Sequence, residues 1–252
     1  IKFGLRMLAK NPGFTAIALI TLAVGIGANT IMFSVVNALL LRPANVADPD
    51  RLVGCRSRGF AFIPYSAYLS ARDSNPIFAD LMAHGWDQQF VTLQQRGDTR
   101  RAYAMFVSAN YFSTLGVAPA QGRGFWPQEE RVGAEPVAVL SHRAWRRQGA
   151  DPNIVGTQIS VNGALVHVIG VAPERFTGTA LLGPDLWLPL GAYGLVTGES
   201  KDRPSTANSD YWDYPLLAMV GRLKPGLGMP EAEARLPALT AHLKEGFPDR
   251  WG

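Results

Sequence analysis

The chain has 252 residues, of which 47% are hydrophobic and only 17% charged, and its formal net charge is +4. The charged share falls below the ~25% usual in soluble domains, and the scattered basic residues argue against the dense cationic face of a nucleic-acid binder. A single cysteine, Cys55, excludes an intrachain disulfide framework and a multi-cysteine metal centre.

Residues 1–13, "IKFGLRMLAKNPG", set apolar Ile1, Leu5 and Leu8 against basic Lys2, Arg6 and Lys10, and end at Asn11-Pro12-Gly13. That pattern reads as a short basic amphipathic segment on the inner surface of a membrane. From Phe14 to Leu41 there are 28 residues without Asp, Glu, Lys or Arg. Gly25 and Gly27 inside this run have the G-x-G spacing of a nucleotide loop. A dinucleotide loop needs a strand before it and a third glycine three positions on, where Thr30 stands. The cradle reading fails on both counts. A bilayer core needs about 20 apolar residues, so 14–41 is expected to be a transmembrane helix. A signal peptide is the rival, but its apolar region runs only about 7–15 residues to a small-residue cleavage site, and "LLLRPANVADP" makes a poor one.

Lys2, Arg6 and Lys10 before the span favour a cytoplasmic N-terminus, while Arg42 at the far end can snorkel. Ala23 and Gly27, and Thr30 and Ser34, are four apart, the spacing that lets a second membrane helix approach closely. The alternative is that glycine is simply common in membrane helices. Asn29 and Asn37 are expected to face protein rather than lipid.

Residues 42–252 read as an α+β domain outside the membrane. Strands are expected at Arg51–Ser57 and Ala102–Ser108, with helices at Pro64–Ser74 and at Ala109–Gly116, the second closed by its glycine. Pro136–Ser141 reads as a buried strand running into a helix over His142–Gly149. Thr157–Val171 is the clearest local signal: two apolar strands flank Asn162-Gly163, the dipeptide of a type I′ hairpin turn. "DLWLPL" and "PLLAMVGRLKPG" read as two more strands. Met229–Gly246 reads as a helix, with a kink or break expected at Pro237. Gly198–Tyr214 reads as an exposed polar loop whose Tyr211, Trp212 and Tyr214 either anchor the loop or contact a partner.

No residue set carries catalysis or a cofactor. His84, His142, His167 and His242 have no metal-ligand spacing. His167 falls in a strand as a half-buried structural residue. Ser141-His142 lack a nucleophile-elbow context. Glu129-Glu130 and Glu135 read as a solvated acidic loop, and no Walker motif occurs. The chain is therefore not expected to be an enzyme.

The ordered segments resemble the first part of a MacB/FtsX-like ABC transporter permease. The resemblance starts at "LRMLAKNPGFTAIALITLAVGIGANTIMFSVVNALLLRP" and continues through "FVSANYFSTLGVAPAQGRGF" and "PVAVLSHRAWRRQGADPNIVGTQISVNGALVHVIGVAPERFTG". It ends with "DLWLPL" and "VGRLKPGLGMPEAEARL". Pro237 departs from the pattern, and Gly198–Tyr214 matches nothing in it. The resemblance implies one helix across the bacterial inner membrane, followed by a MacB-like periplasmic core domain of two subdomains. It further implies three later helices of the same permease, a homodimer or paired repeat, and a partner ATPase that binds the ATP on the cytoplasmic side. Membrane lipid is then a partner and nucleic acid is not. Function would be mechanotransmission, coupling ATP hydrolysis to rearrangement of the periplasmic domain for efflux or extraction. A single-pass anchored binding or scaffold module is the alternative; a soluble nucleotide-binding enzyme is disfavoured by the missing third glycine.

Overall fold

The computed structural model describes residues 12–40, 46–55, 65–85, 88–95, 97–180, 183–198 and 217–246. Residues 1–43 and 44–252 form separate units.

In the first unit, Pro12–Leu40 is a single 29-residue helix, α1, about 43 Å long at 1.5 Å per residue. Pro12 opens it, where a missing backbone donor costs nothing. Ile17, Leu19, Ile20, Leu22, Val24 and Ile26 are all exposed. At 100° per residue they fall on two separate arcs of the helix instead of one stripe, with Thr21, Gly25 and Asn29 on one side between them. The Thr21 and Thr30 hydroxyls donate back to the carbonyls of Ile17 and Ile26, at 2.9 and 2.8 Å, so these polar groups are satisfied within the helix. Over the side chains the structure describes, which stop short of 31–40, no helix is long and apolar enough to cross a membrane.

The second unit alternates strands and short helices: β1 (Leu52–Cys55), α2 (Tyr65–Asp73), β2 (Phe78–Gly85), β3 (Gln89–Gln95), β4 (Asp98–Val107), α3 (Tyr111–Leu115), β5 (Gln121–Gly122), β6 (Val137–Leu140), α4 (His142–Arg147), β7 (Gln158–Val161), β8 (Ala164–Val171), β9 (Leu186–Pro189), α5 (Tyr193–Thr197), β10 (Leu217–Leu223) and α6 (Met229–Gly246). The strands follow the order β1-β10-β2-β4-β3-β7-β8-β6-β9. β9 then returns to β4 in parallel, from Ala104↔Leu186 to Val107↔Pro189. Six strands therefore close into a ring, and β2, β10 and β1 extend from β4 as an open limb.

Along β9 and the C-terminal half of β4 both faces of this sheet are dry. Along β4, Ala104 and Phe106 join one apolar cluster, while Met105 and Val107 join another. β9 divides in the same way, with Leu186 and Leu188 on one side and Trp187 on the other. The period of two sends successive side chains to opposite faces. The first cluster fills the ring and continues under α2 and α6 through Tyr68, Leu239 and Leu243. The second lies beneath α3, where Phe112 meets Phe125, Phe176 and Trp187 with ring centroids 5.5–5.8 Å apart.

Several expectations meet this fold directly. The hairpin is present, with Val161 opposite Ala164 and positive φ at Asn162 (51°) and Gly163 (87°). Gly116 caps α3 in the left-handed conformation, and Ser141 caps α4 by accepting from the Ala144 amide. Two expectations need correction, and two strands were not expected at all. Residues 44–252 form one compact unit, not two subdomains, because the two cores share a sheet. No break occurs at Pro237, since α6 runs through it as one helix; Glu233 and Pro237 are both exposed, so water can take the carbonyl that proline leaves unpaired. β2 and β3 had no counterpart in the sequence reading.

Candidate functional site

Among the described residues no three of His, Cys, Asp and Glu come together to hold a metal ion. Among the described residues, four polar clusters hold segments of the chain together.

The first ties β2, β4 and α3. Asn110 donates to the Asp80 carboxylate at 2.7 Å and to the Leu81 carbonyl at 2.8 Å. It also accepts from the Ser108 hydroxyl at 2.6 Å. Thr114 donates to the other Asp80 oxygen at 2.6 Å, and Ser108 accepts from the Ala83 amide at 3.0 Å. Ser108 and Thr114 are buried, so each bond replaces one that water can no longer supply.

The second is Glu130, which is buried. It accepts from the Tyr65 hydroxyl at 2.7 Å and from the Ala109 amide at 2.6 Å. Burial, and then the Glu130 carboxylate beside it, push the Tyr65 phenol above its ordinary value. The expected solvated acidic loop is corrected here. Glu130 points inward, and Glu129 takes both arms of Arg123, at 2.9 and 2.6 Å. The Arg123 guanidinium in turn stacks 3.4 Å from the half-exposed Trp126 ring.

The third is buried Asp185, at the start of β9. It accepts from the Tyr103 amide at 3.0 Å and pairs with Arg143 and Arg147 of α4.

The fourth lies where the chain enters the second unit. The Arg222 side chain, on β10, uses all three of its nitrogens on backbone carbonyls: Nε on Thr114 at 2.9 Å, Nη2 on Ala47 at 2.6 Å, and Nη1 on Asp48 at 3.3 Å. Thr114 lies in the last turn of α3, where carbonyls lack partners and a cation is favoured. Arg51 reaches the opposite way, donating to the Leu223 carbonyl at 2.5 Å. The Asp48 carboxylate sits 3.7 Å from Arg51 and 4.0 Å from Arg222. The Ala47 amide donates to Leu115 at 3.0 Å. Gly116 (φ 68°) lies against Ala47 so closely that any side chain there would collide with it.

Of the expected site residues, Ala23, Gly27 and Thr30 lie on α1 at positions 4 and 3 apart, with nothing within contact distance of a side chain added at Gly27. A shallow groove on another side of α1 is lined by Thr21, Leu22, Gly25, Ile26 and Asn29. Ser34 is on α1, but its side chain lies outside those described; Lys2, Arg6, Lys10, Tyr211, Trp212 and Tyr214 lie outside the described residues. His167 sits on β8, 2.9 Å from Glu135. The Arg222 contacts were missed by sequence reasoning; the one available signal was an arginine inside the apolar run "LAMVGRL".

Residues 15–239 match the family described as MacB-like periplasmic core domain. No curated protein matches. Among solved structures, the chain is similar to the extracellular domain of the noncanonic ABC-type transporter YknZ from Gram-positive bacteria (TM-score 0.54, 11% identity, covering 77% of this chain and 92% of that one). It is also similar to the periplasmic region of MacB from Actinobacillus actinomycetemcomitans (0.53, 15%, 77% and 81%). A domain of a permease protein from Porphyromonas gingivalis gives 0.54 and 14%, covering 79% and 87%. At these identities the likeness is one of fold.

Proposed function

We propose, since this chain belongs to the family of MacB-like periplasmic core domains of ABC-type transporter permeases, that it is the first membrane helix and outer domain of such a permease. In this reading α1 spans the inner membrane with its N-terminus in the cytoplasm, and residues 44–252 stand in the periplasm. A partner ATPase binds and hydrolyses ATP on the cytoplasmic side, and this chain is neither an enzyme nor a cofactor carrier. Its work is to convert movement of membrane helices into movement of the outer domain, driving efflux or extraction of a substrate.

The observation that carries the reading is the family match itself, which begins at residue 15, inside α1, and runs without a break into α6. Three features agree with it. α1 is 29 residues long with no acidic or basic side chain and exposes apolar groups on two of its sides, as a lipid-facing helix does. Small residues along it (Ala23, Gly27, Thr30, Ser34) suit close packing against the permease's other helices. In the second unit β1 begins where β10 ends, with Leu52 opposite Arg222, so the chain enters and leaves the limb at one end. Lys2, Arg6 and Lys10 then belong at the cytoplasmic lipid surface, and Tyr211, Trp212 and Tyr214 are offered as a partner-contact loop. Two chains, or two repeats, pair in the working transporter.

The test is a distance measurement in the whole permease with its ATPase, in lipid nanodiscs. A spin label at exposed Glu174, placed through Glu174→Cys in a Cys55→Ala background, reports on the same position in the second copy. ATP with vanadate shifts the label-to-label distance; an unchanged distance contradicts coupling.

A further inference from the structure

We propose that Arg222 is a mechanical clasp, the positioning residue that keeps a pull on residues 46–51 from peeling β1 off β10. The proposal rests on the permease reading, because movement of a membrane helix is what would supply the pull.

The argument is geometric. β1 offers only four residue pairs to β10, and Leu52↔Arg222 is the outermost. The chain arrives at the N-terminal end of β1 and departs at the C-terminal end of β10, so both ends leave the pair on the same side. Tension applied there loads the ladder bonds one after another instead of together. That is the weakest direction in which an antiparallel pair can be pulled, since its bonds lie across the strands. Arg222 stands at the pair that would open first.

The clasp is built for that direction. Arg222 grips carbonyls of Ala47 and Asp48 ahead of the ladder, and fixes them to the Thr114 carbonyl on α3. Arg51, just before β1, crosses back to the carbonyl of Leu223, the last residue of β10, so an arginine reaches across in each direction. The planar five-donor guanidinium can bind several carbonyls at once without rearranging. The Ala47 amide on Leu115 and the seat provided by Gly116 add a second anchor. A pull on residue 46 therefore meets α3, and through the Asp80–Asn110–Thr114 bonds it meets β2, before it meets the ladder. The Arg222 side chain is only 14% exposed; its bond to Thr114 is part-buried, while those to Ala47 and Asp48 lie at the surface.

The experiment is optical-trap pulling on the whole 252-residue chain in a nanodisc, with Cys55→Ala and handle cysteines Asn45→Cys and Lys224→Cys. With Arg222 present, the limb holds until the strands behind it unfold. Arg222→Gln gives an earlier opening at less than half that force, lengthening the molecule by about 35 Å as ten residues extend at ~3.5 Å each. Arg222→Lys falls between, because an ammonium has no fork to hold three carbonyls. Pulled across the ring, between Thr99→Cys and Glu174→Cys, parent and Arg222→Gln unfold at the same force. Equal opening forces along the first axis, or an equal drop along both axes, overturn the clasp. Should Arg222→Gln fail to fold, Arg51→Gln removes the reciprocal bond and must show the same early opening; an unchanged force there overturns the proposal as well. None of these outcomes depends on an ATPase, so a failed clasp and a failed permease reading remain separate results.

Discussion

The six-stranded ring and the open limb solve the same problem by different means. In the ring every strand has at least two hydrogen-bonded neighbours, and closure removes the exposed edge that a sheet otherwise presents. Its stability comes from side chains packed on both faces, with Trp187, Phe106, Leu140 and Ile159 fully buried. The limb ends in β1, which pairs among the described residues with β10 alone and over four residues. β1 itself has no fully buried side chain, so charged side chains bonded to backbone carbonyls hold it. A region that must stay intact is closed and dry; a region that meets a load is stapled.

The largest effect that can break this comparison is in the ring. Trp187→Ala removes the central side chain beneath α3 and costs about 3–5 kcal/mol by urea unfolding, since the cavity cannot collapse between sheet and helix. A loss below 1 kcal/mol would mean that closure of the ring, and not its packing, sets stability. Next comes the junction between ring and limb. Asn110→Ala strips the half-buried Asp80 carboxylate of a donor and leaves buried Ser108 without its acceptor, costing about 2–3 kcal/mol.

Smaller and more local is the response of Cys55 on β1. Burial pushes its thiol up to about 12, so at pH 8 almost none is thiolate and a maleimide reacts slowly. Arg222→Gln frees β1 and accelerates that reaction many-fold while the urea midpoint of the ring stays put. The same rate in both proteins would show that the limb does not depend on its staple.

The smallest effect is a pH slope at His84, on β2 beside β4. Burial lowers its pKa from 6.5, against the opposing bond from Nδ1 to the Gly85 carbonyl. The unfolded chain therefore takes up a proton near pH 6.5 while the folded chain stays neutral. Stability contributed by this group is complete above pH 6.5 and is lost as pH falls toward the lowered folded value. His84→Gln flattens that part of the stability curve in urea titrations between pH 7 and 5.

Much of the ring could be read from residues alone. Asn162-Gly163 announced a hairpin because the turn needs two positive φ angles; Gly116 and Ser141 announced helix ends through their capping chemistry. β2 escaped because it is covered on both faces, and "FADLMAHG" consequently lacks the alternation of a half-buried strand. β3 escaped because its outward positions carry Phe90 beside Thr92 and Gln94; Phe90 is exposed against Tyr103, with ring centroids 4.6 Å apart, and it blurs the polar side of the pattern. Glu130 and Asp185 were illegible as buried acids, since their partners lie 65 and 38–42 residues away in sequence or are backbone amides. The clasp was harder still. Its acceptors are carbonyls, which every residue carries, so no side-chain pattern marks Ala47 or Thr114 as the place Arg222 grips.

One measurement bears most directly on the account of an outer domain carried by a membrane helix. Glu174→Cys, in a Cys55→Ala background, is expressed in the whole permease in cells whose outer layer has been permeabilised, and a membrane-impermeant thiol reagent is added before lysis. Labelling of intact cells is the expected result and places residues 44–252 on the outer side of the inner membrane. Labelling that appears only after lysis would place the domain in the cytoplasm and contradict the account.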